Sequence, residues 1–137
     1  MGRSASSSPA RALSGDKLIL SVDVDAELLC ARHKLLMAAG YSVLSAIDGE
    51  QALELFDSNP VDLVLLDYVL PTMDGDLLAE AMKECKPHVP IIMVSDAYVP
   101  EESPDWVDRI VHKEEGPQVL LRTIRELTRL GREGYAI

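Results

Sequence analysis

The run Val61-Asp62-Leu63-Val64-Leu65-Leu66, stopping abruptly at Asp67, constrains this chain more than any other feature. A nearly continuous apolar run without period-two alternation is what a strand covered on both faces requires, which places it at the centre of a parallel sheet flanked by helices. Four further runs have the same character: Leu18 to Val22, Tyr41 to Ala46, Ile91 to Val94 ending at Ser95, and Val107 to Val111 ending near Lys113. Helical spacing fills the intervals. The first helix is expected to bury Leu28, the stem of Arg32, Leu35, Leu36 and Ala39, and to stop at Gly40. Asp48-Gly49 opens a short helix with Ala52, Leu55 and Phe56 inward, which ends before Asn59-Pro60. After the turn Pro71-Thr72-Met73-Asp74-Gly75, a third helix is expected to show Leu77, Leu78, Ala81, Met82 and Cys85 on one face, with Pro87 and Pro90 bracketing its exit. In the segment Asp96 to Asp105, Pro100 and Pro104 leave room for about one or two helical turns, so helix four is shortened. The last helix turns Leu120, Ile124 and Leu127 inward.

A chain of 137 residues, 47% hydrophobic and 26% charged, suits one α/β domain with its own core, expected over residues 16–131 between a disordered tail at 1–15 and a short tail at 132–137. The net charge of −10 argues against a nucleic-acid backbone or an anionic lipid surface as direct partner. Cys30 and Cys85 fall within apolar helical patterns and read as reduced core residues rather than a staple or metal site. No run approaches the ~20 apolar residues of a membrane span, and MGRSASSSPARALSG lacks the apolar stretch of a secretory signal, so a cytoplasmic protein is expected.

In an open parallel sheet, ligands bind outside the carboxyl ends of the strands. There strand one delivers Asp23-Val24-Asp25, strand three Asp67, strand four Ser95 and strand five Lys113. Carboxylates, a hydroxyl and one cation converging on one rim suit phosphoryl chemistry. Asp67 can act as nucleophile toward phosphorus, neighbouring carboxylates can hold a Mg²⁺, Lys113 offers a point charge, and Ser95 can donate a hydrogen bond to an attached phosphoryl group. Singly, each residue has a plainer reading: Asp23 and Asp25 as helix N-caps, Ser95 and Lys113 as surface residues. Asp67 resists it, because a carboxylate directly after an apolar strand is costly without a partner.

The stretch Asp67-Tyr68-Val69-Leu70-Pro71-Thr72-Met73-Asp74-Gly75 resembles the phosphorylation loop of two-component response-regulator receiver domains. Ile19-Leu20-Ser21-Val22-Asp23, Ala39-Gly40-Tyr41 with Asp48-Gly49, Pro90-Ile91-Ile92-Met93-Val94-Ser95 and Lys113 extend the likeness from Lys17 to Leu130. It implies a flavodoxin-like, chemotaxis-regulator-like fold with strand order 2-1-3-4-5 and helices on both faces. It also implies a phosphoryl group accepted on Asp67 from a histidine kinase or phosphotransfer protein, with Mg²⁺ on Asp23, Asp67 and the Val69 carbonyl, and Ser95 and Lys113 as the sensing pair. Such a domain is not an enzyme beyond assisting its own phosphoryl transfer and dephosphorylation, and a monomer or weak homodimer is expected.

Four positions depart from the pattern. Receivers usually carry two adjacent acids after strand one, and Val24 stands where the second, a direct metal ligand, is expected; this weakens Mg²⁺ binding unless Asp25 substitutes. Asp96 replaces a small residue beside the phosphorylation site, where its carboxylate either substitutes as a ligand or, the favoured expectation, repels the incoming phosphate. Glu114 follows Lys113 in place of a proline, and Ile110 stands where an aromatic switch residue is common. Ser95 and Lys113 are only 18 positions apart, so phosphorylation-dependent pairing through helix four should be altered or absent, with Trp106 anchoring the shortened segment. His33, His88 and His112 lie on separate elements without ligand spacing. Two other functions compete: a degenerate receiver serving as a phosphorylation-independent docking module, and a haloacid-dehalogenase-type phosphatase using Asp23 and Asp25. The second leaves the Asp67 loop unexplained.

Overall fold

A computed structural model describes residues 16–70, 75–95 and 107–136. Among the described residues five strands and four helices follow in the order β1 (Leu18–Val22), α1 (Ala26–Ala38), β2 (Ser42–Ala46), α2 (Gly49–Ser58), β3 (Leu63–Asp67), α3 (Gly75–Cys85), β4 (Ile91–Ser95), β5 (Arg109–His112) and α4 (Pro117–Ala136). All strand pairs are parallel, in the order β2-β1-β3-β4-β5, so the most apolar run does form the central strand. The order reverses direction between β1 and β3, and the rim outside that pair is where the fold leaves a crevice.

Alternate residues along each strand supply two cores. Leu20, Val22, Val64, Leu66, Ile91 and Met93 pack with Ala52 and Phe56 of α2 and Leu78 and Met82 of α3. Ile19, Leu63, Leu65, Ile92 and Val94 pack with Leu36 of α1 and with Leu120 and Ile124 of α4. With strands covered on both sides, the unbroken apolar runs are explained.

Several boundaries and faces differ from expectation. β3 starts at Leu63 rather than Val61 because Asp62 turns its carboxylate to the Leu18 N–H (2.8 Å) and gives its own N–H to the Leu18 carbonyl (2.8 Å). β5 is displaced toward His112, since Asp108 instead accepts from the Ile91 N–H (2.8 Å) and pairs with Lys83 (2.9 Å). α1 buries Leu29, Arg32 and Leu36, while Leu28 and Leu35 are half-buried and Ala39 is exposed as the C-cap. The paired leucines 28-29 and 35-36 let the helix turn by one position without losing apolar contact. α3 likewise buries Leu78, Ala79 and Met82 and leaves Leu77 outside. Cys30 and Cys85 are free thiols but exposed, not core residues, because both fall off the buried stripes. Gly40 ends α1 at φ +100°, as its lack of a side chain allows. α4 runs on to Ala136, past residue 131. The tail at 1–15, the turn at 71–74 and the segment carrying Asp96, Pro100, Pro104 and Trp106, with the shortened helix expected there, lie outside the described residues.

Among the described residues, one buried side-chain polar atom lacks a partner. The Ser21 hydroxyl on β1 is fully buried without a hydrogen bond. An unsatisfied buried hydroxyl costs on the order of 1 kcal/mol or more. Ser21→Ala should therefore raise the unfolding free energy by about 1 kcal/mol in urea titration; a loss of stability would mean that the hydroxyl is satisfied.

Candidate functional site

Strand register builds the site. Val22 is paired with Leu66, so the next residues of β1 and β3, Asp23 and Asp67, emerge side by side at the carboxyl rim. Asp67 is paired with Val94, which brings Ser95 to the same rim, and Ser95 is paired with His112, which brings Lys113. Asp23 is fully buried, Asp67 is 6% exposed and Ser95 is buried.

The turn after β5 aims the lysine. Residues Lys113–Glu115 form a single 3-10 turn in which the Glu115 carboxylate accepts from the His112 N–H (2.8 Å). Lys113 Nζ then lies 3.3 Å from Asp23 Oδ2 and 3.8 Å from Asp67 Oδ1. Asp67 Oδ1 also accepts from the Val69 N–H at 3.3 Å. Gly75 lets the start of α3 close on this loop. A Cβ there would stand 2.8 Å from the Asp67 carbonyl oxygen and 2.9 Å from that of Tyr68, whose carbonyl accepts the Gly75 N–H at 3.1 Å. The glycine of the 67–75 stretch is thus required by close approach of backbones.

The two neighbouring acids do different things. Asp25 is the N-cap of α1, its Oδ1 accepting from the N–H groups of Glu27 (3.0 Å) and Leu28 (3.2 Å). That employment matches the plainer reading of Asp25 as a helix N-cap. Asp23 is no cap. Its Oδ1 accepts from the Asp25 N–H (3.0 Å), and its Oδ2 faces both Lys113 and the Arg32 guanidinium at 3.5 Å. Arg32, 6% exposed, was expected to contribute only its stem. The available signal was an arginine in the middle of an apolar helical stripe, because a buried guanidinium demands a counter-ion.

Both cations lean toward Asp23, which leaves Asp67 short of positive charge. Burial first, and then the Asp23 carboxylate, push the Asp67 carboxyl from 3.8 up to about 6, against the opposing pull of Lys113 and the Val69 N–H. Of the atypical positions, Val24 is 52% exposed and offers no oxygen from its side chain, Glu114 is exposed on the 3-10 turn, and Ile110 is half-buried against the α2/α3 core. His33 and His112 are half-buried and His88 is exposed.

A buried carboxylate at the end of a central strand, a second beside it and a lysine bridging both are chemically suited to meet an electrophilic phosphorus. The sequence profile of the response regulator receiver domain matches residues 19–125. The chain belongs to this family. Among its relatives, the receiver shares 40% identity over 77 residues with the transcriptional regulatory protein CpxR of Escherichia coli, covering 56% of this chain and 32% of CpxR. It thus spans about a third or less of the length of the curated relatives it matches. A CheY-like receiver domain protein of Methanospirillum hungatei superposes with a TM-score of 0.81 at 28% identity, covering 87% of this chain and 98% of the other. The response regulator TrrA of Thermotoga maritima, solved in complex with Mg²⁺-BeF, gives 0.76 at 29% identity, covering 81% and 98%. TrrA has also been solved in complex with the histidine kinase ThkA. Receiver domains belong to two-component signalling, where they bind Mg²⁺ and act as phosphoacceptors rather than enzymes in the ordinary sense.

The residues present suit a hard divalent cation in kind. Two buried carboxylates repel each other, and Asp67 is under-compensated, so added positive charge relieves the pair. Among the described residues no group of three or more His, Cys, Asp or Glu side chains gathers, so side chains supply two donors at most.

Two predictions follow from this geometry. Gly75→Ala forces two backbone carbonyls apart and should destabilise the fold by about 1–3 kcal/mol in denaturant unfolding; a neutral effect would mean that α3 does not close on the loop. The second concerns pH, with metal chelated. An acid whose folded-state pKa lies above its unfolded value binds more protons folded than unfolded between the two, so stability drops as pH rises from about 4 to about 6. Asp67→Asn lacks that drop. Its melting temperature should exceed that of wild type at pH 7, and the gap should narrow toward pH 4. A gap independent of pH would count against a perturbed Asp67.

Proposed function

We propose that Asp67 accepts a phosphoryl group from a histidine kinase or phosphotransfer protein, and that the charge added there is read out as altered contact with another protein. The observation that carries this reading is the Lys113 ammonium lying between the buried carboxylates of Asp67 and Asp23, at 3.8 and 3.3 Å. An oxygen of Asp67 attacks phosphorus, the phosphorus–nitrogen bond of the donor breaks, and the departing imidazole takes up a proton. Lys113 balances the incoming oxygens as a point charge, and Ser95, on the neighbouring strand end, is the hydroxyl that donates to them. Mg²⁺ on Asp23, Asp67 and the Val69 carbonyl would supply further positive charge to the phosphoryl oxygens.

The complex of TrrA with a histidine kinase supports a partner of that class for this receiver. Its net charge of −10 favours a protein over nucleic acid as the immediate output. Among the described residues no helix is long and apolar enough to cross a membrane. We also retain a second reading, a docking module that takes no phosphate, because Val24 removes a donor from the rim.

Incubation with acetyl phosphate and Mg²⁺, followed by intact-mass measurement, separates the two. The expected result is a gain of one phosphoryl group in wild type and none in Asp67→Asn. Lys113→Ala should still be labelled, several-fold more slowly. An unmodified wild type, under conditions that label a known receiver, favours the docking module.

A further inference from the structure

The least expected contact in the molecule is the buried pair of Arg32 and Asp23. Arg32 sits on the inward stripe of α1 between Leu29 and Leu36, with its guanidinium 3.5 Å from Asp23 Oδ2. An arginine here is costly in an apolar layer unless a carboxylate receives it. Lys113 approaches the same oxygen at 3.3 Å, and Asp23 Oδ1 is taken by the Asp25 N–H at 3.0 Å. Both oxygens of Asp23 therefore have partners from within the chain. Among the described residues, two carboxylates at the rim, Asp23 and Asp67, face two cations, Arg32 and Lys113.

We propose that Arg32 is a resident counter-ion for Asp23, a positioning residue that weakens divalent-cation binding at the rim by occupying the metal-facing carboxylate with a fixed charge. The inference rests on the reading of Asp23 and Asp67 as the Mg²⁺ ligands. A divalent ion reaching Asp23 must share Oδ2 with a guanidinium and an ammonium that repel it at short range. Lys113 is partly exposed and can swing toward solvent or an incoming phosphoryl group. Arg32 is buried and has no such freedom. Val24 acts in the same direction, since its exposed apolar side chain adds no oxygen at the rim. Together they describe a site that carries part of its positive charge in the fold instead of drawing all of it from solution.

The test is direct metal binding, with no phosphoryl donor present. Mn²⁺ is titrated by electron paramagnetic resonance and competed with Mg²⁺, for wild type, Arg32→Gln and Arg32→Met. Asp23→Asn defines ligand loss, and Val24→Asp is the positive control for a gained oxygen. Removing the arginine's charge should tighten Mg²⁺ binding about tenfold or more. It should also make the melting temperature depend much more steeply on Mg²⁺ than in wild type, because a bound ion then neutralises an otherwise unpaired buried carboxylate. A variant unfolded without metal should regain its circular dichroism as Mg²⁺ is added. Unchanged or weaker binding in both Arg32 variants, or no recovery of an unfolded one at saturating Mg²⁺, overturns the role of Arg32 while leaving the metal site itself standing. Wild-type binding that Asp23→Asn does not reduce overturns the metal assignment together with the inference.

Discussion

Two carboxylates forced into adjacency at the ends of neighbouring parallel strands are the constraint around which the rest of this molecule is arranged. Register alone puts them there: once Val22 pairs with Leu66, Asp23 and Asp67 follow. Neither can retreat into water, because the strands that carry them are sealed by helices on both faces. Like charges in such a place must be met by cations, by protons or by both. The chain uses Lys113 across both acids, Arg32 on Asp23 alone, and a raised proton affinity on Asp67. A residue so situated is chemically unsettled, and that suits a nucleophile meant to exchange one charge state for another.

The opposite rim is settled by comparison. At the amino ends of the strands, Asp62 ties β3 to β1 through Leu18, and Asp108 joins the Ile91 N–H to Lys83, which also donates to the Val89 carbonyl (2.8 Å). Lys86 caps the end of α2 by donating to the carbonyls of Phe56 (2.6 Å) and Asn59 (3.0 Å), and its ammonium lies over the Phe56 ring. These contacts close loops between elements distant in sequence and satisfy groups that the turns leave open. Polar side chains at the amino rim fix geometry, while those at the carboxyl rim hold charge in reserve. The sheet separates the two tasks by the length of a strand.

How much of this was legible in the chain depends on which physical signal carried it. The unbroken runs marked the strands because burial on both faces leaves no alternation to misread, and β3 fell at the centre because it is the most apolar. Asp67, Ser95 and Lys113 could be brought together because parallel strands deliver their carboxyl ends to one rim whatever lies between them. The stripe on α1 could not be read uniquely. Leu28, Leu29, Leu35 and Leu36 offer two overlapping faces about 100° apart, and packing selects between them: Leu36 joins the core of Ile19 and Leu65, and Leu29 is buried while Leu28 and Leu35 stay half-buried. Arg32 lies where the two faces overlap and Cys30 lies on neither, so the arginine's inward course is common to both readings and the thiol's exposure follows from its place off the stripe. Strand ends were misplaced where an aspartate, Asp62 or Asp108, spends its side chain on a neighbouring strand's N–H, an interaction with no periodic trace.

Arg32 also bears on why such a site tolerates Val24. A buried ion pair is weak evidence of stability, since replacing both members by apolar residues of similar volume is often neutral or better. Retaining this one therefore calls for a reason beyond the fold. With a valine in place of an acid, the rim loses negative charge and an oxygen donor, and the demand for an external cation falls. With an arginine beneath Asp23, it falls again. Both residues follow Asp23 in the chain, one turned outward and one inward, and under the proposed role of Arg32 both would reduce the hold on a dissolved divalent ion. Asp67 is left as the group whose charge remains least compensated, and it is there that an arriving phosphoryl group and the Lys113 ammonium would have to settle the balance between them.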